Sequence, residues 1–280
     1  MRYRIDLGGK AALLLVAMLF GSSTTLDAQA FPYTRPNWEW GAVPLLAAGA
    51  YFADGTTDNV LGLTRVEIQA LDPSAVNWFD RYATRQFSKA WQTTSDVLLF
   101  ASIAGAFATI GPSGGEDYWT GLVMLFEVEA VTRIVTSVAK ATVRRTRPYA
   151  HNVQLTVDQR LAKAEDEGDV NLSFFSGHSS AAFAAAVYAS TYFQNVYPDS
   201  RWNTHMWIGT LAAATGTAFG RMKAGKHYLS DVMVGAAVGV GIALAIPRLH
   251  RRDDDEGGAG SQSRFGQVSV GFRIGVGPGR

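Results

Sequence analysis

The stretch Phe175-Ser176-Gly177-His178-Ser179-Ser180-Ala181-Ala182-Phe183-Ala184-Ala185-Ala186-Val187-Tyr188-Ala189-Ser190-Thr191-Tyr192-Phe193 decides the fold class of this chain. A serine and a glycine open it as a helix start does, and an alanine-rich run follows that favours helix and lets neighbouring backbones approach closely. Outward from it lie segments of the same kind. Met206 to Phe219 and Val232 to Ile246 follow, the latter stopped by Pro247. Upstream, Trp119 to Lys140 is apolar over most of its face and carries Glu127, Glu129 and Arg133, Val97 to Gly111 ends at Pro112, and Gly41 to Ala53 is a short apolar stretch. Alternating β-branched runs are scarce before the tail, so the expected fold is an all-α helical bundle.

Between the first two apolar stretches, Asp54 to Trp91 is mixed and mostly amphipathic, with Trp78, Phe79, Phe87 and Trp91 as expected packing anchors. Near the C-terminus the run Asp253-Asp254-Asp255-Glu256-Gly257-Gly258 reads as a solvated linker. After it, Val268, Val270, Phe272, Ile274 and Val276 alternate with polar or small residues, which predicts a short β-strand tail in need of a partner. The N-terminus carries Arg2, Arg4 and Lys10, an apolar run from Ala11 to Phe20, and Ala28-Gln29-Ala30. That layout predicts a secretory signal over residues 1–30, a mature chain beginning at Phe31, and export. The domain plan is therefore a signal (1–30), an N-terminal helical region (31–95), a core domain (96–252) and an acidic linker with tail (253–280).

The totals exclude several classes. Of 280 residues, 48% are hydrophobic and 18% charged, outside the range of disordered chains. A net charge of +1 gives no long-range field for nucleic acid, and the lack of cysteine rules out disulfides, thiolate metal sites and cysteine nucleophiles. Mean hydropathy of +0.04 sits between soluble enzymes and membrane proteins. Most apolar segments are shorter than the roughly 20 residues of a perpendicular span, so they are core helices or spans helped by flanking residues. If the last one crosses a membrane, Arg248, His250, Arg251 and Arg252 form its cytoplasmic flank and the loops at its start lie on the exported side. With a cleaved signal, this placement requires Gly41 to Ala53 not to cross.

Three clusters carry chemistry. Lys140 and Arg147-Pro148 are seven residues apart, so on a continuous helix they share a face and converge on one anion, with Arg144 and Arg145 turned away from it. Ser176-Gly177-His178 opens a helix, where backbone N–H groups and a hydroxyl form a phosphate cradle. Arg221, His227 and Asp231 lie between two apolar helices. A helix starting near His227 would set Asp231 one turn on, able to hydrogen-bond one ring nitrogen and leave the other free to attack. Taken singly, each cluster also has a plain structural reading: a basic helix end, an N-cap beside a surface histidine, an ordinary ion pair. An up-and-down bundle would bring all of these helix ends to one side.

In order and spacing, Lys140-x6-Arg147-Pro148, Ser176-Gly177-His178 and Arg221-x5-His227-x3-Asp231 resemble the three-part signature of the type 2 phosphatidic acid phosphatase and vanadium-dependent haloperoxidase superfamily. The resemblance runs from about Asp96 to Leu249, with Phe175 in place of the usual proline and Gly220 in place of the usual serine. It implies that His227 is a nucleophile forming a phosphohistidine, Asp231 its orienter and His178 the general acid. Lys140, Arg147, Arg221, the Ser176 hydroxyl and the Gly177 N–H would hold the phosphoryl oxygens, with no metal and no cofactor. The implied activity is hydrolysis of a phosphate monoester or pyrophosphate of a lipid; with the export signal and the basic flank after the last helix, the expected place is an inner membrane with the site facing the periplasm. The alternatives are a soluble periplasmic acid phosphatase acting on small phosphate esters, a vanadate-dependent haloperoxidase, and a phosphate-binding or structural membrane protein with a dead site.

Overall fold

The computed structural model describes residues 31–252 apart from 59, 61, 112 and 113. The expected signal, acidic linker and C-terminal strand lie outside the described residues. Within them the chain is all-α, with α1 (Glu39–Asp58), α2 (Arg65–Ala70), α3 (Lys89–Ile110), α4 (Gly115–Val143), α5 (Val157–Glu167), α6 (Gly177–Val196), α7 (Asn203–Lys223) and α8 (Leu229–Leu249).

The alanine-rich α6 is the centre of the bundle and packs against α3, α4, α7 and α8. Ala182, Ala184, Ala185, Ala186 and Ala189 are fully buried, because a methyl group is the largest side chain that such close neighbours admit. Two glycines set the contact with α8. A Cβ at Gly235 would stand 2.6 Å from the Ser176 carbonyl oxygen, and one at Gly239 would stand 2.1 Å from that of Ser180. Larger aromatic groups, Tyr188 and Tyr192 with Ile110, Met124 and Val128, fill the core farther along α6.

Because the chain reverses between successive long helices, the start of α3, the end of α4, the start of α6, the end of α7 and the start of α8 gather at one end of the bundle. The connection from α4 to α6 caps that end: α5, with α2, builds a second small core from Ile68, Tyr149, Ala150, Ala164 and Val170. At the opposite end the first described residues meet the last. The Thr34 N–H donates to the His250 carbonyl (2.7 Å) and the Arg252 N–H to that of Pro32 (2.9 Å).

Several sequence expectations need correction. The helices extend well past their apolar runs: α4 starts at Gly115, and α8 carries Pro247 inside its last turn, where the proline did not stop it. The short stretch from Gly41 is part of a 20-residue helix that runs the length of the bundle beside α4, joined there by the Asp54–Arg133 ion pair (2.6 Å). The region from Asp54 to Trp91 is broken into the end of α1, the short α2, two 3-10 turns and the start of α3, and Trp78 (83% exposed), Phe79, Phe87 and Trp91 sit on the surface rather than anchoring a core. Among the described residues α3 and α8 are long and apolar enough to cross a membrane, and Phe100, Phe107, Met233 and Leu249 on them are exposed.

Candidate functional site

The residues singled out by sequence converge at the end of the bundle where α4, α6, α7 and α8 meet. Ser176 caps α6, its hydroxyl accepting from the Ser179 N–H (3.3 Å), and its own N–H donates to the Asp231 carbonyl (3.1 Å), which ties the start of α6 to that of α8. Gly177 follows as the first residue of α6. A Cβ there would lie 3.2 Å from Thr136 Cγ2 and 3.6 Å from the Lys140 ammonium, so glycine leaves the lysine room.

Lys140 and Arg147 reach the site by a different route from the one a helix face predicts. The helix ends at Val143, Arg144 takes a left-handed conformation (φ 49°), and Arg147 comes back on extended backbone. Arg147 is buried and held from several sides. Its Nε donates to the Asp169 carbonyl (2.9 Å), Nη1 to the Lys226 carbonyl (3.0 Å), and Nη2 pairs with the Asp169 carboxylate (2.8 Å). Nη1 also faces His227 Nε2 at 3.4 Å. Lys140 makes no ion pair among the described residues, and burial, aided by the Arg147 charge, lowers its pKa to about 7. A desolvated lysine with no ion pair among the described residues is suited to an anion.

His227 is 1% exposed and lies in the loop before α8, so it does not share a helix face with Asp231. Its Nδ1 donates to the Ser173 carbonyl at 2.7 Å, while Asp231 Oδ2 stands at 3.8 Å, beyond hydrogen-bond reach. The direct orienter is therefore a backbone carbonyl. Asp231 acts one step back: Oδ2 accepts from the Ser173 hydroxyl (2.5 Å) and the Tyr228 N–H (2.9 Å), fixing both strands of chain that hold the imidazole. Burial, together with Arg147, Arg221 and Lys140, holds the His227 pKa well below its ordinary value. With Nδ1 committed to Ser173, the neutral ring presents the lone pair of Nε2.

His178 points its Nε2 at Asp96 Oδ1 (2.9 Å), which also accepts from buried Arg221 (3.2 Å). Burial lowers the His178 pKa to about 4, against the pull of its Asp96 hydrogen bond, and lowers that of Arg221 to about 10.

Sequence reasoning missed four supports. Asp96 joins His178 to Arg221, and its only sequence signal is a lone carboxylate within the largely apolar α3. Arg145, expected to face away, bridges Asp231 (2.5 Å) and buried Asp80 (2.7 Å) and lies over the Tyr228 ring at 3.9 Å. Asp80 in turn accepts from the Ser230 N–H (2.9 Å) at the start of α8. Lys226, adjacent to the candidate nucleophile, is buried against Glu167, and its pKa falls to about 6 through desolvation.

A cage of cations around a neutral imidazole is arranged to receive an anion, and the family comparison is in keeping with that chemistry. Residues 121–255 match the model of the PAP2 superfamily, and Lys140, Arg147, Ser176, Gly177, His178, Arg221, His227 and Asp231 all fall inside that segment. The family match is to these residues, just under half of the chain. Among solved structures, the crystal structure of the first transmembrane PAP2 type phosphatidylglycerolphosphate phosphatase from Bacillus subtilis is similar at 16% identity and a TM-score of 0.39, covering 86% of this chain and 94% of that one. No curated protein matches significantly.

Proposed function

We propose that the chain is a phosphatase that hydrolyses a phosphate monoester or pyrophosphate, most fittingly of a lipid, through a phosphohistidine on His227 and without a metal in the reaction. The family supports a phosphatase at the coarser level. The observation that carries the finer reading is the buried neutral imidazole whose Nδ1 is held by Ser173 and whose Nε2 faces Arg147, with the unpaired Lys140 in the same cage.

Nε2 would form a bond to phosphorus as the bond from phosphorus to the leaving oxygen breaks. Lys140, Arg147 and Arg221 neutralise the charge spread over the phosphoryl oxygens, beside the N–H groups at the start of α6. His178 gives its proton to the leaving alkoxide. A bound phosphate dianion adds to Asp96 in raising the proton affinity of His178, so the proton is loaded together with the substrate. In the second step His178 takes a proton from water, the water oxygen bonds to phosphorus, and the phosphorus–nitrogen bond breaks. The positive charge on the phosphorylated ring is met by the Ser173 carbonyl and by Asp231 beyond it.

Trapping decides this. Rapid quench with radiolabelled substrate should yield an acid-labile, base-stable phosphoenzyme in the wild type and more of it in His178→Ala, with none in His227→Ala. Label on His227→Ala, or none on any form, would remove His227 as nucleophile. An activity panel across lipid phosphates and soluble esters tests the substrate class.

The meeting of residues 32–34 with residues 250–252 bears on location. Those residues lie at the end of the bundle opposite the site. A cleaved signal would deliver Phe31 to the exported side, and a membrane-crossing α8 would then leave the site on the other side. A cleaved signal and a periplasm-facing site in a crossing bundle therefore exclude each other. A periplasm-facing site fits either a membrane enzyme that retains its N-terminal segment on the cytoplasmic side or a soluble periplasmic enzyme with a cleaved signal, whereas a cleaved signal or a retained crossing anchor ahead of a crossing α1 would turn the site to the cytoplasm. N-terminal sequencing joined to carbonate extraction separates them.

A further inference from the structure

At the end of the bundle away from the phosphate cage, three elements far apart in sequence bring together Glu39, the first residue of α1, Glu127 of α4, and His250, which caps α8. They are 6%, 1% and 0% exposed. The His250 Nε2 stands 2.7 Å from Glu39 Oε1 and 3.3 Å from Glu127 Oε2, and the ligating atoms of all three lie within 4.8 Å of one another.

What distinguishes this trio from an ordinary buried ion pair is what remains unmet. Both carboxylate oxygens of Glu127, and Oε1 of Glu39, lack a hydrogen-bond partner among the described residues despite being shut off from solvent. Burying a carboxylate in that condition is costly, and two carboxylates beside one another cost more. His250 can supply one compensating charge at most. Its Nδ1 lies 3.0 Å from the Ile246 carbonyl, an acceptor that fixes the proton on Nδ1 and leaves the lone pair of Nε2 aimed at the carboxylates. That is the arrangement a metal-bound histidine takes, with a backbone carbonyl behind the ring.

We propose that Glu39, Glu127 and His250 are a binding site for one divalent transition-metal ion, zinc by preference, that ties the start of α1 and the end of α8 to α4. Two oxygens and one nitrogen without thiolate suit zinc or manganese more than copper(I). Bonds of about 2.0–2.2 Å place ligand atoms roughly 3.3 Å apart around a tetrahedral ion. The 3.3 Å gap between His250 and Glu127 already has that size, and the 2.7 Å one to Glu39 needs to open by about half an ångström or slightly more. A divalent ion neutralises both carboxylates with His250 uncharged, and water completes the coordination. The site holds residues 31–34 against the end of α8 and takes no part in phosphoryl transfer, so it stands or falls independently of the reaction.

The test uses the full chain, free of any affinity tag, stripped with chelator and titrated with cobalt(II) and then zinc. Cobalt should give visible d–d absorption saturating at one ion per chain, and zinc should abolish it. At a metal concentration roughly 100 times Kd the melting temperature should rise by about 5–10 °C. The double variant His178→Ala/His227→Ala should bind unchanged, which separates this site from the phosphate cage. Glu127→Gln, which keeps the shape and removes the charge, should weaken binding by about 100-fold or more; Glu39→Gln serves the same purpose should the first fail to fold. A wild type that binds neither ion, so that a proton shared by His250 alone holds the trio, would overturn the proposal. So would cobalt absorption that survives both glutamine variants or vanishes in the double histidine variant.

Discussion

At the site end of the bundle, Arg145, Arg147, Arg221 and Lys226 each meet a carboxylate, and Lys140 meets none among the described residues. At the opposite end the balance is reversed, with Glu39 and Glu127 sharing a single imidazole. Among the described residues, one end has a lysine with no carboxylate partner and the other has two carboxylates against one imidazole. An uncompensated buried charge is unstable unless a ligand of opposite sign completes it. On the readings proposed above, the sign of what is missing suits a phosphate at one end and a cation at the other.

Breaking the site end outright should give the largest effect. His227→Ala should lower phosphatase turnover by roughly 10⁴-fold or more, since the covalent path disappears with its nucleophile. Initial-rate assays on the variant check this, and an activity within tenfold of wild type would end the nucleophile assignment.

Arg145→Ala should come next, through stability. It would strand Asp80 and Asp231, both buried, and losing one partner of such pairs costs about 3–5 kcal/mol. Chemical denaturation measures it. Lys140→Ala should instead leave stability unchanged or improved while weakening phosphate binding, because no ion pair is lost. Equal destabilisation by both variants would erase the distinction between a paired and an unpaired cation.

For His178→Ala a loss of about 100-fold is expected with an alkyl phosphate, the usual scale of general acid catalysis. Formation of the intermediate from nitrophenyl phosphate, whose leaving group needs little protonation, should suffer far less.

The pH dependence sharpens the role of Lys140. Its pKa of about 7 means that the cation is present below that pH and lost above it. Phosphate affinity should therefore decline as pH rises through about 7, seen as a fall in kcat/KM. Lys140→Arg keeps the charge at every such pH and should move the decline upward, whereas an unmoved profile would assign the limb to another group.

Smallest of all should be Arg144→Gly. Arg144 is exposed and occupies the left-handed region at φ 49°, which glycine adopts without strain, so stability should change by less than about 1 kcal/mol.

The sequence by itself determined the helical class and singled out the candidate site side chains. Alanine and glycine at close-packing positions specify α6 and its contact with α8, and Lys140, Arg147, His178, Arg221 and His227 are recognisable by spacing because every one lies at or near the end of a helix. Local pattern did not reveal the supports. Arg145 looked idle on a projected helix face because that face ends at Val143, and the turn through Arg144 sends it to Asp80 and Asp231 instead. The Asp231–His227 hydrogen bond drawn from their spacing failed for a related reason: α8 starts two residues after His227, so Ser173 from another segment holds the ring. Glu39, Glu127 and His250 carry no motif at all, being separated by most of the chain. Only the tertiary structure decided those partnerships, since hydrogen bonds and buried charges are satisfied by neighbours in space, while spacing along the sequence encodes only what a single helix or turn can bring together.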